Sequence, residues 1–125
     1  MLSHTTSPFT KPESIEKCVE KVAGGEYDSA MLAERVSEFL WVDGKPVNYD
    51  PHDIPRTQDL PPMYLEASGA YVFPRETFMK YNSRIGVKPY IQEITKIEGI
   101  DIDYEEDFAI AAAVYSAMIK KGGCK

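Results

Sequence analysis

Apolar and polar positions divide the chain into helical and extended stretches punctuated by Pro and Gly. Ile15, Cys18, Val19 and Val22 recur at i, i+3, i+4 and i+7, the spacing of one buried helical face, and predict a helix over roughly 11–23. Thr10 stands where an N-cap belongs, Pro12 falls in the first turn, and Glu13 follows Thr10 at the capping-box spacing. Gly24 and Gly25 end the element. Toward the other end, Phe108, Ala111, Ala112, Tyr115, Met118 and Ile119 share one stripe, so a last helix is expected over about 104–120.

The middle of the chain reads mainly as extended. "YDSAMLAERV" predicts a strand, and "EFLWVDGKPVNY" a hairpin, because Asp-Gly between two apolar-rich runs suits a two-residue type I′ turn. Pro46 keeps the second arm short or at an edge. "DPHDIPRTQDLPP", residues 50–62, holds four of the nine prolines and must be a stiff, extended loop. "MYLEASGAYVF" reads as strand, Gly-containing bend, strand; "PRETFMKYN" as a short helix with Pro in its first turn; "PYIQEI" as another strand. Strands alternating with helices predict an α/β layered fold in which helices cover a sheet. The opening "ML" reads as the end of a strand, and only two or three strands are available for the main sheet, thin cover for two amphipathic helices. The chain is therefore expected to be part of a domain.

Composition narrows the function classes. In 125 residues, 43% are hydrophobic, with eight Tyr, five Phe and one Trp, enough for a core in one domain. Fourteen basic against 20 acidic residues give −6, with no Lys/Arg cluster, which argues against a nucleic-acid partner. No apolar run nears the roughly 20 residues a membrane helix needs, and the N-terminus lacks the pattern of a signal peptide. Cys18 and Cys124 make neither a disulfide framework nor a zinc site, and a reduced, cytoplasmic protein is expected.

Candidate chemistry lies in three places. In "IEGIDIDYEEDF", residues 97–108, a strand would put Asp101 and Asp103 on one face, their Cα atoms about 6.6 Å apart, close enough to converge on one hydrated Mg²⁺. The same residues suit a structural role, Asp103 as N-cap with Glu106 at N3 and Asp101 facing water. "HTTSPF" sets His4, Thr6 and Ser7 on a strand-to-loop exit, where ligands of open α/β sheets sit, but equally forms a turn into a helix. Arg56 in the proline-fixed loop is able to grip a carboxylate or phosphate, with Gln58 orienting, or else pairs with Asp53 or Asp59. No nucleophile–base pair and no Gly-rich phosphate loop is present in the sequence.

Taken in order, "TTSPF", "PRTQDLPPMYLEASGAYVF" and "GIDIDYEEDF" resemble the T-S-P, P-R-Q-D-L-P and I-D-I-D-x-x-x-D motifs of the acylneuraminate (CMP-sialic acid) cytidylyltransferase family. The likeness covers about residues 3–115. It implies the C-terminal portion of a Rossmann-like, GT-A-like nucleotide-diphospho-sugar transferase domain, with residues 36–73 as dimerisation hairpin and sugar-site loop. It also implies transfer of a cytidylyl group from CTP to a sialic-acid-like 2-keto sugar acid, with release of pyrophosphate. By motif, Asp101 and Asp103 would hold Mg²⁺, Arg56 would meet the sugar carboxylate, and His4, Thr6, Ser7, Gln58 and Tyr71 would line the substrate. Trp41 would lie in the interface of a homodimer or higher oligomer. His4 stands where the family commonly has Gln, and no Lys precedes the hairpin turn, so legionaminate, pseudaminate or a 3-deoxy-octulosonate are equally expected substrates. The family's Gly-rich CTP-binding half has no counterpart in these residues, so the chain alone is expected to be inactive. The alternative is a non-catalytic dimerisation or binding module of the same fold.

Overall fold

The computed structural model describes residues 1–122; Cys124 lies outside the described residues. Helix α1 (Pro12–Ala23) leads into β1 (Ser29–Val36), the hairpin β2 (Trp41–Val42) and β3 (Lys45–Pro46), and β4 (Met63–Val72). Helix α2 (Arg75–Tyr81), β5 (Pro89–Ile94) and α3 (Glu105–Gly122) follow. The chain is thus mixed α/β. Its main sheet has the order β4-β1-β5, with β1 antiparallel to β4 and parallel to β5.

Strand β1 is central, and its first five residues are almost wholly buried, as a strand with neighbours on both edges and cover on its faces should be. Ala30 and Leu32 point toward Cys18, Ala67, Ala70, Val72 and Ile94, and Ile15, Val22 and Tyr90 close this core from its rim. Val19, expected on the buried face of α1, is 44% exposed. Three strands present a surface wide enough only for the narrower stripe of Ile15, Cys18 and Val22.

The start of α1 departs from the expected capping box. Lys11, not Thr10, is the N-cap, and it caps with no side chain of its own. The carboxylate of Glu98, only 3% exposed, instead accepts the Lys11 backbone N–H at 3.1 Å. An anion at this end is favoured by the unpaired amides and dipole of the helix. The Thr10 hydroxyl is buried with no partner. It lies against Gly69, where an added Cβ would come within 2.3 Å of it. At the other end, Gly25 takes φ 75 just past the helix, the left-handed stop the sequence predicts.

The hairpin forms as read: Asp43 and Gly44 have φ 49 and 73, the paired left-handed residues of a type I′ turn. Asn48 clamps its base, accepting from Leu40 N–H and donating to the Glu38 carbonyl. Around residues 50–62 the chain is irregular apart from a 3-10 turn at Thr57–Asp59. Strand β4 is not broken by its glycine. Instead the register shifts, Ala67 pairing with Leu32 and Tyr71 with Met31, so that Ser68, Gly69 and Ala70 bulge from the ladder. Leu2 and Tyr71 exchange backbone hydrogen bonds of 2.9 and 2.8 Å, adding the chain start beside β4. Pro74 stands at the N-cap of α2 rather than inside its first turn.

Two expectations near the C-terminal end are corrected. Residues 97–103 are not a strand but a turn and an irregular segment. Their one backbone link to the opening segment is Ile102 N–H to the Thr6 carbonyl, 2.9 Å, and no ladder grows from it because Pro8 breaks the facing chain. The apolar stripe of α3 does not cover the sheet. Ala111 is buried, while Phe108, Tyr115, Met118 and Ile119 are exposed along a groove of about 1020 Å³ shared with Phe9, Ile97 and Ile102.

Candidate functional site

The site grows from two local facts, the Leu2–Tyr71 pairing and the bulge in β4. The pairing lays residues 3–7 over the end of β4, and a turn closed by Ser7 N–H to the His4 carbonyl follows. The Ile102–Thr6 bond then brings Asp101 against that turn. Ser7 Oγ donates to Asp101 Oδ1 at 3.2 Å, across 94 positions of sequence. Hydrogen bonds from the Thr6 hydroxyl hold the Asp101 carboxyl below the usual carboxylate range; burial opposes them, and Ser68, Ser7 and the Ile102 backbone add to them. Asp101 is therefore an ionised, oxygen-ringed acceptor at neutral pH.

Ser68 sits in the β4 bulge and also reaches Tyr71, so it joins this node to a second one. Tyr71 is buried and donates its hydroxyl to Glu66. Burial first, and Glu66 second, push the phenol up to about 12. Arg84 Nη2 donates to the same Glu66 oxygen at 3.0 Å, and the guanidinium carbon lies 4.0 Å from the centre of the Tyr71 ring. The His4 ring centre is 6.4 Å from that of Tyr71. His4, Thr6, Ser7, Tyr71 and Asp101 thus lie in one neighbourhood.

Asp103, Arg56 and Gln58 have other surroundings. Asp103 is exposed and does not cap α3; its own N–H and that of Tyr104 donate to Asp107 Oδ2 at 3.1 and 2.9 Å. Tyr104 supplies the first helical carbonyl, to Phe108 N–H, so Asp107 rather than Glu106 occupies the position that reaches back. The register of the helix is one residue later than the acidic run suggests. Arg56 is 79% exposed and donates to Asp59 through Nε at 2.9 Å, one of the two pairings read from the sequence. Gln58 is exposed in the same 3-10 turn. No hydrogen bond ties either residue to Asp101 or Tyr71 among the described residues.

Ser68, Glu66 and Arg84 join the cluster although no sequence pattern singles them out as site residues. Glu66 and Ser68 alternate along β4, a period-two signal of the strand alone. Arg84 lies in the connection between α2 and β5 and carries no motif. Chemically the cluster offers two carboxylates, Asp101 and Glu66, several hydroxyls and one guanidinium over an aromatic ring, a set suited to a polyhydroxylated ligand. Among the described residues no three His, Cys, Asp or Glu side chains converge as a metal cluster, and none of their helices is long and apolar enough to cross a membrane. Neither a family model nor a curated protein matches the chain.

Proposed function

We propose that this chain is the sugar-acid and metal half of a CMP-sugar synthetase, acting with a CTP-binding half to move a cytidylyl group onto a 2-keto sugar acid. The observation that carries this reading is the Ser7–Asp101 contact, which unites the two motifs lying farthest apart in sequence. In the reaction, the sugar's anomeric hydroxyl attacks the α-phosphorus of CTP. An O–P bond forms as the bond to the departing pyrophosphate breaks, and the hydroxyl proton is lost to solvent or base.

The oxygen-only donors at Asp101, with exposed Asp103 nearby in sequence, fit a hydrated Mg²⁺, which needs only one or two carboxylates and otherwise keeps water and phosphate oxygens. When bound, the ion neutralises phosphate charge. Thr6, Ser7 and Ser68 keep Asp101 ionised and fixed; His4 flanks the sugar, and the buried Tyr71 backs the sugar site from beneath. Arg56 and Gln58 ride on the Pro-rich loop, which in a dimer reaches the neighbouring subunit's site.

Exposed Trp41, Val42, Val47 and Ile54 around the hairpin and loop, with the open stripe of α3, support assembly into a dimer or larger oligomer. The substrate CTP is an intracellular metabolite, which supports a cytoplasmic setting. With no Gly-rich phosphate loop in its sequence, the 125-residue chain alone is inactive in this reading. Joined to the nucleotide-binding half of such an enzyme, it should release pyrophosphate from CTP only when Mg²⁺ and a keto sugar acid are both present. Release without sugar acid, or none with N-acetylneuraminate, legionaminate, pseudaminate or 3-deoxy-octulosonate, contradicts the reading.

A further inference from the structure

Arg84 lies outside all three sequence motifs, yet it is the guanidinium tied into the Asp101–Tyr71 neighbourhood. Arg84 Nη2 and the Tyr71 hydroxyl both donate to Glu66 Oε1, and Ser68, in the β4 bulge, adjoins both Tyr71 and Asp101. Three features mark Arg84 as more than a solvated cation. It is supported from below by the buried Tyr71 ring, whose centre lies 4.0 Å from the guanidinium carbon. Its position over that ring is fixed by Glu66, at 3.0 Å from Nη2. Its side chain nevertheless remains 41% exposed, so a face of the fork is open to solvent. A guanidinium has five N–H donors, and this contact uses one. The side-chain entropy that an exposed arginine would lose on gripping a ligand has largely been lost already.

By contrast, Arg56 is 79% exposed, pairs with Asp59, and lies over no aromatic ring among the described residues. We infer that Arg84 is a specificity-determining residue, its stacked and anchored guanidinium taking the carboxylate of the sugar acid beside the Asp101 hydroxyl node. This assignment rests on the proposed function. The carboxylate replaces water on the open edge of the fork, while Glu66 keeps the opposite contact. Tyr71 supplies the flat support, and its neutral phenol adds no repulsion to an incoming anion.

The test is an NMR titration of the full 125-residue chain with N-acetylneuraminate and 3-deoxy-octulosonate, each also as its methyl ester. The unaltered chain should bind at least one acid about tenfold more tightly than its ester, the scale of one charge-assisted fork contact. Arg84→Gln should bind acid and ester alike, and Arg84→Lys should regain only part of the preference, since an ammonium lacks the planar fork. The ester comparison in the unaltered chain needs no variant to fold. Equal binding of acid and ester there, or an undiminished acid preference in a folded Arg84→Gln chain, overturns the assignment while leaving the functional reading standing. Failure of the unaltered chain to bind either acid overturns both.

Discussion

Ser7 and Asp101 are joined by a 3.2 Å hydrogen bond although 94 positions separate them. The contact links the chain's opening turn to the segment before its last helix, and it makes Asp101 a stability element as well as a candidate ligand.

Its carboxyl titrates below the ordinary value of 3.8, chiefly because the Thr6 hydroxyl favours the charged form. For Asp28, burial pushes the carboxyl up, but hydrogen bonds from Val87, the Ser29 hydroxyl and Lys88 outweigh it and leave it lowered. A carboxyl depressed in the folded state contributes stability that is complete above its unfolded value and is lost as pH falls through the folded one. Urea midpoints should therefore hold steady from pH 7 to about 5 and fall below about pH 4. In Asp101→Asn the acid fall should be shallower; an unchanged slope would show that Asp101 is not coupled to folding.

Glu98 closes the start of α1 from 87 residues away, and its carboxylate is nearly inaccessible. Glu98→Ala leaves the Lys11 amide without this partner and opens a hole, so a loss of about 2–3 kcal/mol is expected in urea unfolding. The Lys11 ammonium, 3.8 Å from the other Glu98 oxygen and largely exposed, adds little. Lys11→Met should accordingly cost less than about 0.5 kcal/mol. Equal losses from the two variants would mean that the ion pair, not the amide contact, holds the helix start.

Gly69 and Thr10 form a tight contact. A Cβ at Gly69 would meet the Thr10 hydroxyl at 2.3 Å and a Leu32 methyl at 3.3 Å. Gly69→Ala should cost about 1–3 kcal/mol by overpacking. Combining it with Thr10→Ala should cost less than the sum of the two single changes, since the clash partner is gone. Strict additivity in thermal or urea unfolding would place the strain elsewhere.

Cys18 is completely buried, and burial pushes its thiol up to about 11. In a Cys124→Ser background, Ellman's reagent should label it only at the rate of unfolding, with the same urea dependence. Rapid labelling in native buffer would show that α1 opens locally.

What the residues revealed in advance was whatever depends on near neighbours. Asp43-Gly44 predicts its own turn because the left-handed pair is a local steric demand. Ile15, Cys18 and Val22 announce α1 by spacing alone. Thr10 failed as a cap because the helix start found a better acceptor, Glu98, which no local pattern reveals. Asp101 and Asp103 failed as a strand pair because a strand needs a partner, and the facing segment holds Pro8. The site was half legible. His4, Thr6, Ser7, Tyr71 and Asp101 were named from motifs, whereas Ser68 enters through a bulge and Arg84 through the stacking of a loop on a strand.

The central claim, that the Asp101 node is the site of cytidylyl transfer, meets its most direct test in single-turnover pyrophosphate release from a chain carrying the nucleotide half. Asp101→Asn should slow release at least about 100-fold, the scale expected when a ligand of the catalytic metal is removed. Urea unfolding and oligomer size, measured alongside, should show the variant still folded and assembled. Release at the unaltered rate from a folded Asp101→Asn protein would contradict the claim.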